Sequence, residues 1–543
     1  MANGVSKAEE LAQGTQSISI AEFFERNRHL LGFDNKRKGL LTAVKEGVDN
    51  ALDACEEADV LPDITVEIHE ISGDKYRLVL EDNGPGIVKD EIPKIFGKLL
   101  YGSKFHQLKM QRGQQGIGIS AAVMYAQLTT GKPARITSKI GPDEPAKYFE
   151  LKIDTETNEP EILTERERDW PNKDHGTRIE LDLIGSYARG RQSIDEYIRE
   201  TAIINPHASI TYLNPRGKQR MLVRGTEEKP PETDAIKPHP YGVEIGAMQK
   251  MAERTDASTV NQFLKDDFTR VGRKTAKSIL EKAKLKDRKK PRNLTRNDVE
   301  ALINAVQDTD IMMPPTDCIA PIGAETLEQG LKKEINAEFY ASTTRKPSVY
   351  RGNPFLIEAS LAWGGELEED GLCNVLRFAN RVPLLYQRGA CAATKGIQNT
   401  NWRNYNVSQS TGSRPKGPMT ILVHIASVWV PFTSEAKEAI AHYPEILKEV
   451  KLAVQSLGRD LKSYLNRKNK VKEELKKRRY IKTYIPHIAE ALADLNELDE
   501  DHTTTLEERL KTLLEQDRGE VEDIDFDPDA NDEYDEELAE MGR

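Results

Sequence analysis

Residues 45–54 read KEGVDNALDA. In and around this segment, apolar side chains recur every three or four residues, at Leu41, Val44, Val48, Leu52 and Cys55. That spacing predicts an amphipathic helix. Glu46, Asn50 and Asp53 recur at the same spacing on another face, so two acids and an amide form one row. A solvated helix face would explain the row by itself, and the segments that follow favour a binding site instead.

Two strands and a glycine turn follow the helix. The first strand alternates apolar and polar side chains, and the second reads YRLVL. The second runs into EDNGPGI at 81–87, where Gly84 and Gly86 permit a sharp turn. Asp82, at the end of the strand, can accept a hydrogen bond from an amino group. A DxGxG turn of this kind is weak evidence for a site when it stands alone.

A second glycine-rich turn opens an apolar helix in RGQQGIGISAAVMYAQ at 112–127. Free backbone N–H groups at the start of a helix form a binding site for phosphate. The turn lacks the lysine of a P-loop, and the strand and helix order of a dinucleotide fold is absent. Further along, HGTRIEL at 175–181 places Thr177 at the start of a strand.

Between residues 45 and 181 these blocks resemble, in order, the GHKL ATPase superfamily of gyrase B subunits, MutL proteins, heat-shock chaperones and histidine kinases. Each block is weak alone, but the four together are specific. The resemblance implies an α/β fold, the Bergerat sandwich, in which ATP lies between the helices and a mixed sheet. It also implies ATP and Mg²⁺ as ligands.

The resemblance assigns a role to each polar residue. Glu46 would be the general base that takes a proton from the attacking water. Asn50 would bind Mg²⁺ through its side-chain oxygen, because hard cations prefer oxygen ligands. Asp82 would accept the adenine amino hydrogen, Thr177 would support that contact, and Asp53 would pack behind the site. Histidine kinases usually lack the base, so Glu46 favours hydrolysis.

The same resemblance gives the remaining nucleotide contacts. Gly86 would lie in the turn beside the nucleotide, and Ser103 and Lys104 would belong to a lid. The phosphates would be wrapped by the loop residues Gly113, Gln114, Gln115, Gly116, Ile117, Gly118, Ile119 and Ser120.

Longer segments resemble one branch of the superfamily, the ATPase B subunits of type IIB DNA topoisomerases, the topoisomerase VI family. The match begins with SISIAEFFERNRHLLGFDNKRKGL and continues in VNQFLKDDFTRVGRKTAKSIL at 260–280, where this family inserts a helix–two-turn–helix domain. NVLRFANRVPLLYQRG and PMTILVHIASVWVPF resemble its transducer domain, and YIPHIAEALADL resembles its partner-docking helix. Lys437 matches the switch lysine that reaches the γ-phosphate of ATP; without the surrounding match it would be an ordinary surface lysine.

The resemblance predicts the domain organisation and the partners. The predicted domains are a GHKL ATPase domain with an N-terminal dimerisation arm (1–235), a helix–two-turn–helix domain (236–315), a transducer (316–470) and a C-terminal region with a stalk helix, a partner-docking helix and an acidic disordered tail (471–543). Expected partners are a separate DNA-cutting topoisomerase VI A subunit in an A2B2 heterotetramer, double-stranded DNA, and a second copy of this chain after ATP binding. The alternatives are a MutL-like repair ATPase, a chaperone, or another GHKL protein acting as a DNA-bound or non-hydrolysing clamp.

Charge and composition agree with a DNA-associated protein. The net charge of -11 comes from residues 520–543, which hold twelve acids and one base, so the rest of the chain is neutral. Within that remainder, 270–296 carries twelve Lys and Arg against two acids, and 462–482 carries ten against two. Such runs are solvated faces or phosphate contacts. The four cysteines form no CxxC pair and no apolar run is long enough to span a bilayer, so a cytoplasmic, nucleoid-associated protein without membrane contact is expected.

Overall fold

The computed structural model describes residues 18–102, 107–113, 117–434, 437–496 and 500–518. The chain divides into two units, one ending at Leu457 and the other beginning at Gly458. The acidic segment 520–543, predicted to be disordered, lies outside the described residues. Within the described ranges, every helix is either too short or too polar to cross a bilayer.

The first unit begins with one sheet and the helices that cover it. The helices are α1 (Ile20–Arg26), α2 (Lys36–Glu57), α3 (Ile92–Gly97), α4 (Gly118–Thr130) and α5 (Ile194–Ile204). The strands are β1 (Asp63–Ser72), β2 (Lys75–Glu81), β3 (Ala134–Lys139), β4 (Ala146–Asp154), β5 (Glu159–Arg168), β6 (Gly176–Ile184), β7 (Ser209–Leu213) and β8 (Gln219–Leu222). Their order in the sheet is β5-β4-β3-β6-β2-β1-β7-β8. The sheet is mixed, since β1 and β7 run parallel while the other neighbours are antiparallel.

The helix predicted from KEGVDNALDA is α2. The side chain of Asn35 accepts a hydrogen bond from the backbone N–H of Lys38 and so caps its first turn. The apolar face of α2 packs with α4 and the inner faces of β1, β2 and β6 in one core. Because β1 alternates between buried and less buried residues along its first half, the sheet presents one apolar face to these helices.

A helical segment follows the first sheet. Its helices are α6 (Ile245–Arg254), α7 (Val260–Asp266), α8 (Arg273–Lys282) and α9 (Arg296–Gln307), and their apolar sides form a core of their own. The predicted pair of helices with a glycine turn at 260–280 corresponds to α7 and α8. A capping box between Thr295 and Asp298 begins α9.

A second sheet completes the first unit. After α10 (Ala324–Glu334) come β9 (Phe339–Thr344), β10 (Ser348–Tyr350), β11 (Asn353–Trp363), β12 (Asn374–Ala379), β13 (Val382–Pro383), α11 (Ala392–Gln398), β14 (Ser408–Gln409), β15 (Pro415–Lys416) and β16 (Met419–Ser427). The sheet order is β10-β11-β16-β12-β13, with β9 also paired to β11 and with β14 and β15 forming a separate pair. Every residue of β16 is buried, and the strand has a neighbour on each side in the sheet.

Helix α5 belongs to the cores of both sheets. Tyr197 on α5 packs in the core of the first sheet, and its hydroxyl donates to Asp49 of α2 over 3.0 Å. Ile203 and Ile204, at the other end of α5, pack with α10 and the second sheet. The second sheet is therefore held at the side of α2 and the first sheet, within reach of the polar face of α2.

The long helix α12 (Pro444–Leu495) begins in the first unit and continues into the second, where it contains Pro486 and is followed by α13 (Glu500–Arg518). The large mixed sheet, the second sheet and the long C-terminal helix confirm the predicted α/β fold class. The predicted domain boundaries at 235, 315 and 470 stay predictions.

Candidate active site

A cavity of about 780 Å³ lies at the polar face of α2. Ten of the predicted site residues line it: Glu46, Asn50, Asp82, Gly86, Gly113, Ile117, Gly118, Ile119, Thr177 and Lys437. Ser120 is buried and is not among the lining residues; its hydroxyl donates to the carbonyl of Ile117 over 3.1 Å. The predicted contacts Ser103, Lys104, Gln114, Gln115 and Gly116 lie outside the described residues.

Asp82 forms one end of the cavity, where β2 and β6 meet. Its Oδ1 accepts hydrogen bonds from the backbone N–H of Gly84 (2.9 Å) and of Thr177 (3.1 Å). The Thr177 hydroxyl shares a 3.1 Å hydrogen bond with Ser138, whose hydroxyl in turn accepts from the N–H of Ile87. Burial raises the pKa of Asp82 to about 6, against the effect of the two N–H donors. Both donors bond to one carboxylate oxygen, which leaves the other for a donor in the cavity.

Two glycines let the backbone close tightly behind Asp82. Gly86 has a φ of +72°, and a Cβ there would lie 2.0 Å from the carbonyl oxygen of Lys139. Gly176 has a φ of +144°, and its Cβ would lie 2.2 Å from the carbonyl oxygen of Asp82. Any side chain at either position would force the backbone apart. The sequence pattern identified Gly86 as a turn residue, and the structure gives the reason as contact with β3.

The row predicted on α2 faces the other end of the cavity. Glu46 and Asn50 are partly exposed there, whereas Asp53 is 6% exposed. Gly118 begins α4 directly opposite Glu46, since a Cβ at Gly118 would lie 1.8 Å from Glu46 Oε2. A Cβ at Gly113 would lie 3.7 Å from Asn50 Oδ1. The glycines therefore bring the loop backbone against the acid and the amide of α2.

Lys437 reaches the same end of the cavity from the segment that follows β16. Its Nζ donates to the carbonyl oxygen of Arg112 over 3.1 Å, and the residue is 9% exposed with a left-handed φ of 52°. Burial lowers the pKa of Lys437, while the charges of Glu46 and Asp49 act to raise it. The next residue, Glu438, pairs with Lys38 of α2 over 2.8 Å. This ion pair ties the Lys437 segment to α2.

A buried ion cluster holds the loop that carries Gly113. The guanidinium of Arg112 donates to Asp53 (2.9 Å), to both oxygens of Glu56 (2.7 Å each) and to Asn205 (2.6 Å). His207 contacts Glu56 over 2.8 Å. Burial would raise the pKa of Glu56, but Arg112 and His207 hold it well below its usual range. Asp53, predicted to pack behind the site, is thus a partner of Arg112.

Sequence reasoning missed Asp49, Arg112 and Glu438. Asp49 is 4% exposed, and burial raises its pKa to about 6. Asp49 lies three residues after Glu46 and four before Asp53, so helical spacing places it beside the polar row of α2, which was the available signal. Arg112 stands at the start of the glycine loop, and the acids that pair with it are distant in sequence. Within the described residues no cluster of three or more His, Cys, Asp or Glu side chains could hold a metal ion.

Comparison with known proteins identifies the chain. Residues 35–183 match the family model described as "Histidine kinase-, DNA gyrase B-, and HSP90-like ATPase". Residues 314–477 match the model described as "Topoisomerase VI B subunit, transducer". The two matches confirm the predicted nucleotide-binding ATPase fold and the predicted transducer.

Relatives match over most of the chain. The B subunit of type 2 DNA topoisomerase 6 from Methanococcoides burtonii is 50% identical over 493 residues, which cover 91% of this chain and 79% of the relative. Its counterpart from Archaeoglobus fulgidus is 48% identical over 485 residues, covering 89% of this chain and 80% of the relative. Among solved structures, the gyrase B subunit of Myxococcus xanthus overlaps with a TM-score of 0.41 at 12% identity, covering 81% of this chain and 95% of that chain. The chain belongs to the family of type 2 DNA topoisomerase 6 B subunits.

Proposed function

We propose that this chain hydrolyses ATP in the cavity at the polar face of α2 and uses that reaction to open and close a passage for DNA. The observation that carries the proposal is the position of Lys437. A lysine from the segment after the second sheet lies at the same end of the cavity as Glu46, Asn50 and the glycine loop. Nucleotide bound there would contact the first sheet and the segment that follows the second sheet.

Glu46 is assigned the role of general base. Its carboxylate projects from α2 to the start of α4, where Gly118 has no side chain to cover it. A carboxylate in that place can take the proton of a water molecule that attacks the terminal phosphate. Backbone N–H groups at the start of α4 would bind the phosphate oxygens.

Asn50 is assigned to Mg²⁺, which would supply positive charge beside the phosphates. The protein would supply few ligands to this ion, because the described residues contain no group of three or more His, Cys, Asp or Glu side chains that could hold a metal. Mg²⁺ commonly takes one or two protein oxygens and completes its shell with phosphate and water. Asn50, whose Oδ1 faces the Gly113 backbone, supplies one such oxygen.

Asp82 is assigned to the adenine amino group. Its Oδ1 is occupied by the backbone donors of Gly84 and Thr177, and its Oδ2 is the acceptor for the base. Thr177 fixes the carboxylate through its N–H and joins it to Ser138 through its hydroxyl.

Lys437 is assigned to the γ-phosphate. An ammonium is a compact charge with three donors, and a single terminal phosphate suits it. In leaving the carbonyl of Arg112 for a phosphate, the side chain would exchange a neutral acceptor for a charged one. Since ADP lacks this phosphate, only ATP would draw the Lys437 side chain away from the Arg112 carbonyl.

The partners follow from the family and from the surface of the second unit. One row of exposed apolar side chains runs along α12 at spacings of three or four residues: Tyr480, Tyr484, Ile488, Leu492 and Leu495. A row of this kind fits a groove on another protein. The partner proposed for it is the DNA-cutting A subunit, in an A2B2 assembly that acts on double-stranded DNA, in which two B chains dimerise on binding ATP.

The test is reconstitution of this chain with an A subunit of the family, followed by DNA relaxation with and without ATP. ATP-dependent relaxation is expected for the parent complex, and none for Glu46→Gln in the same complex. Ile488→Glu should prevent co-purification with the A subunit while ATP binding by the isolated chain is retained. Relaxation by the Glu46→Gln complex at the parent rate would refute the proposal.

A further inference from the structure

Two consecutive carbonyls at the start of the glycine loop are bonded by side chains from the region of the second sheet. The carbonyl of Gln111 accepts from Asn380 Nδ2 over 2.9 Å, and the carbonyl of Arg112 accepts from Lys437 Nζ over 3.1 Å. Both donors are buried, at 3% and 9% exposure. The proposed function uses Lys437 alone, so Asn380 is left without a role.

Asn380 occupies a rigid turn. With Arg381 it forms the two-residue connection between β12 and β13, and both residues have left-handed φ values, 47° and 64°. Such a turn matches the twist of a hairpin and favours asparagine. The amide of Asn380 also exchanges two hydrogen bonds of 2.9 Å with the backbone of Ser427, at the end of β16. The orientation of the amide is therefore set by β16.

A buried histidine fixes the other residue of this turn. His424 Nε2 accepts the backbone N–H of Arg381 over 3.1 Å, so the ring proton is on Nδ1, which lies 2.9 Å from Glu358 Oε2. Glu358 also accepts the N–H groups of Ile322 and Gly323. All these groups belong to the second sheet or to the start of α10, so the turn moves with that sheet.

A second contact joins the same turn to the ion cluster. The amide of Asn205 accepts from the Arg112 guanidinium through Oδ1 and donates to the carbonyl of Arg381 through Nδ2, over 3.2 Å. Gln111 and Arg112 are thus held from the second sheet by Asn380 and, through Asn205, by Arg381. The Arg112 guanidinium is held from α2 by two acids, Asp53 and Glu56.

We infer that Asn380 is a positioning residue for ATP hydrolysis: it holds the Gln111 carbonyl so that the adjacent Arg112 carbonyl and Lys437 keep their places beside the phosphate loop. The inference rests on the proposed role of Lys437 for its link to the phosphate. The contact between Asn380 and the Gln111 carbonyl would then stay in place, whereas the contact between Lys437 and the Arg112 carbonyl would form and break.

The test is Asn380→Gly in the full chain, assayed for the kcat of ATP hydrolysis and for the Kd of ADP. Glycine permits the left-handed backbone and removes the side chain with its amide. We expect kcat to fall about tenfold per folded molecule, while the Kd of ADP changes less than about threefold, because Asp82 and Thr177 are untouched. The control is Asn406→Gly, a left-handed asparagine (φ 62°) outside the site, which should keep the parent kcat.

A double variant distinguishes positioning from a loss of stability. Residues that act through one contact do not add, so Asn380→Gly with Lys437→Met should match Lys437→Met within about twofold. Multiplied effects, or an unchanged kcat in Asn380→Gly, would overturn the inference. If Lys437→Met alone hydrolyses ATP at the parent rate, the proposed role of Lys437 is wrong, and the kcat of Asn380→Gly then decides the inference by itself.

Discussion

The two ends of the cavity are built differently. The end assigned to adenine consists of β2, β3 and β6, and backbone contacts fix it: Asp82 is held by two N–H groups, and Gly86 has no room for a Cβ. The end assigned to the phosphates has contributions from α2, the start of α4 and the segment that carries Lys437. This end is formed mainly by side chains. One of its contacts, between the Lys437 ammonium and the Arg112 carbonyl, can be exchanged for a contact to phosphate.

The difference separates binding from coupling. The adenine end belongs to one sheet, so it can bind a nucleotide without any change in the position of the second sheet. The phosphate end takes groups from α2, from the start of α4 and from the segment that follows the second sheet, so its contacts can change when the terminal phosphate is present. A ligand shifts a conformational equilibrium only through such differences in contact. Changes at the adenine end should therefore alter affinity, and changes at the phosphate end should alter turnover and coupling.

The largest effect is expected at Glu46. Glu46→Gln should lower the kcat of ATP hydrolysis by about 10²- to 10⁴-fold, the usual contribution of a general base, while the Kd of a non-hydrolysable ATP analogue stays within a few-fold. Single-turnover hydrolysis and equilibrium binding measure the two quantities. Glu70→Gln, an exposed acid on β1, is the matched control and should keep the parent rate. If Glu46→Gln lost analogue binding and turnover to the same extent, the proposed separation of binding at the adenine end from turnover at the phosphate end would be wrong.

Gly86 tests the backbone contact of the adenine end. Gly86→Ala should weaken ATP and ADP binding to the same extent, by roughly ten- to a hundredfold, because a Cβ 2.0 Å from the Lys139 carbonyl displaces the turn beside Asp82. Gly131→Ala is the control, since Gly131 has a similar φ of +69° but no described heavy atom within 4 Å of its Cβ. Gly131→Ala should cost only about 1 kcal/mol of stability. Calorimetric titration measures the nucleotide affinity of both variants, and thermal unfolding measures their stability. Gly86→Ala reports the steric clash, and Gly131→Ala reports the backbone strain alone.

Asp82 gives the adenine end a pH dependence. Its pKa is raised by burial from 3.8 to about 6, so the folded protein binds its proton more tightly than the unfolded chain does. In the nucleotide-free protein this contribution to stability is fully present below about pH 4 and is lost as pH rises through about 6, by at most about 2 to 3 kcal/mol. Thermal unfolding between pH 4 and 7 should show the decline.

Asp82→Asn provides the comparison for that measurement. The variant should lose the part of the pH dependence between 4 and 6 that the carboxyl group causes. An identical pH profile in the parent and in the variant would show that Asp82 titrates in its ordinary range and is not buried as described.

Whether the sequence predicts a site residue depends on how far apart in the sequence that residue and its partners are. Glu46 and Asn50 of the α2 row, the turn at Gly86 and Thr177 at the start of β6 follow from local spacing, and all four line the cavity. Asp53 has the same spacing but is buried against Arg112 instead. The Arg112 cluster could not be predicted in the same way, because its partners Glu56 and Asn205 become neighbours only when α2 and α5 pack.

Lys437 illustrates the limit most clearly. Nothing in its own segment, TSEAKEAI, distinguishes it from a surface lysine. The resemblance to a family suggested its role, and the packing of α5 against both sheets explains how it reaches the cavity. Asn380 had no signal in the sequence, because its function depends on a turn geometry and on a carbonyl contact 269 residues away.

The central claim, that the second sheet contributes to the phosphate end through Lys437, is tested most directly by a ratio of affinities. The Kd of ADP divided by the Kd of a non-hydrolysable ATP analogue should be about ten or more for the parent chain, because one charged hydrogen-bonded contact is worth about that factor. Lys437→Met keeps an unbranched side chain that is one heavy atom shorter and removes the charge, and it should bring the ratio close to one. Lys395→Met, an exposed lysine on α11, should leave the ratio unchanged. A ratio that Lys437→Met does not alter would contradict the account.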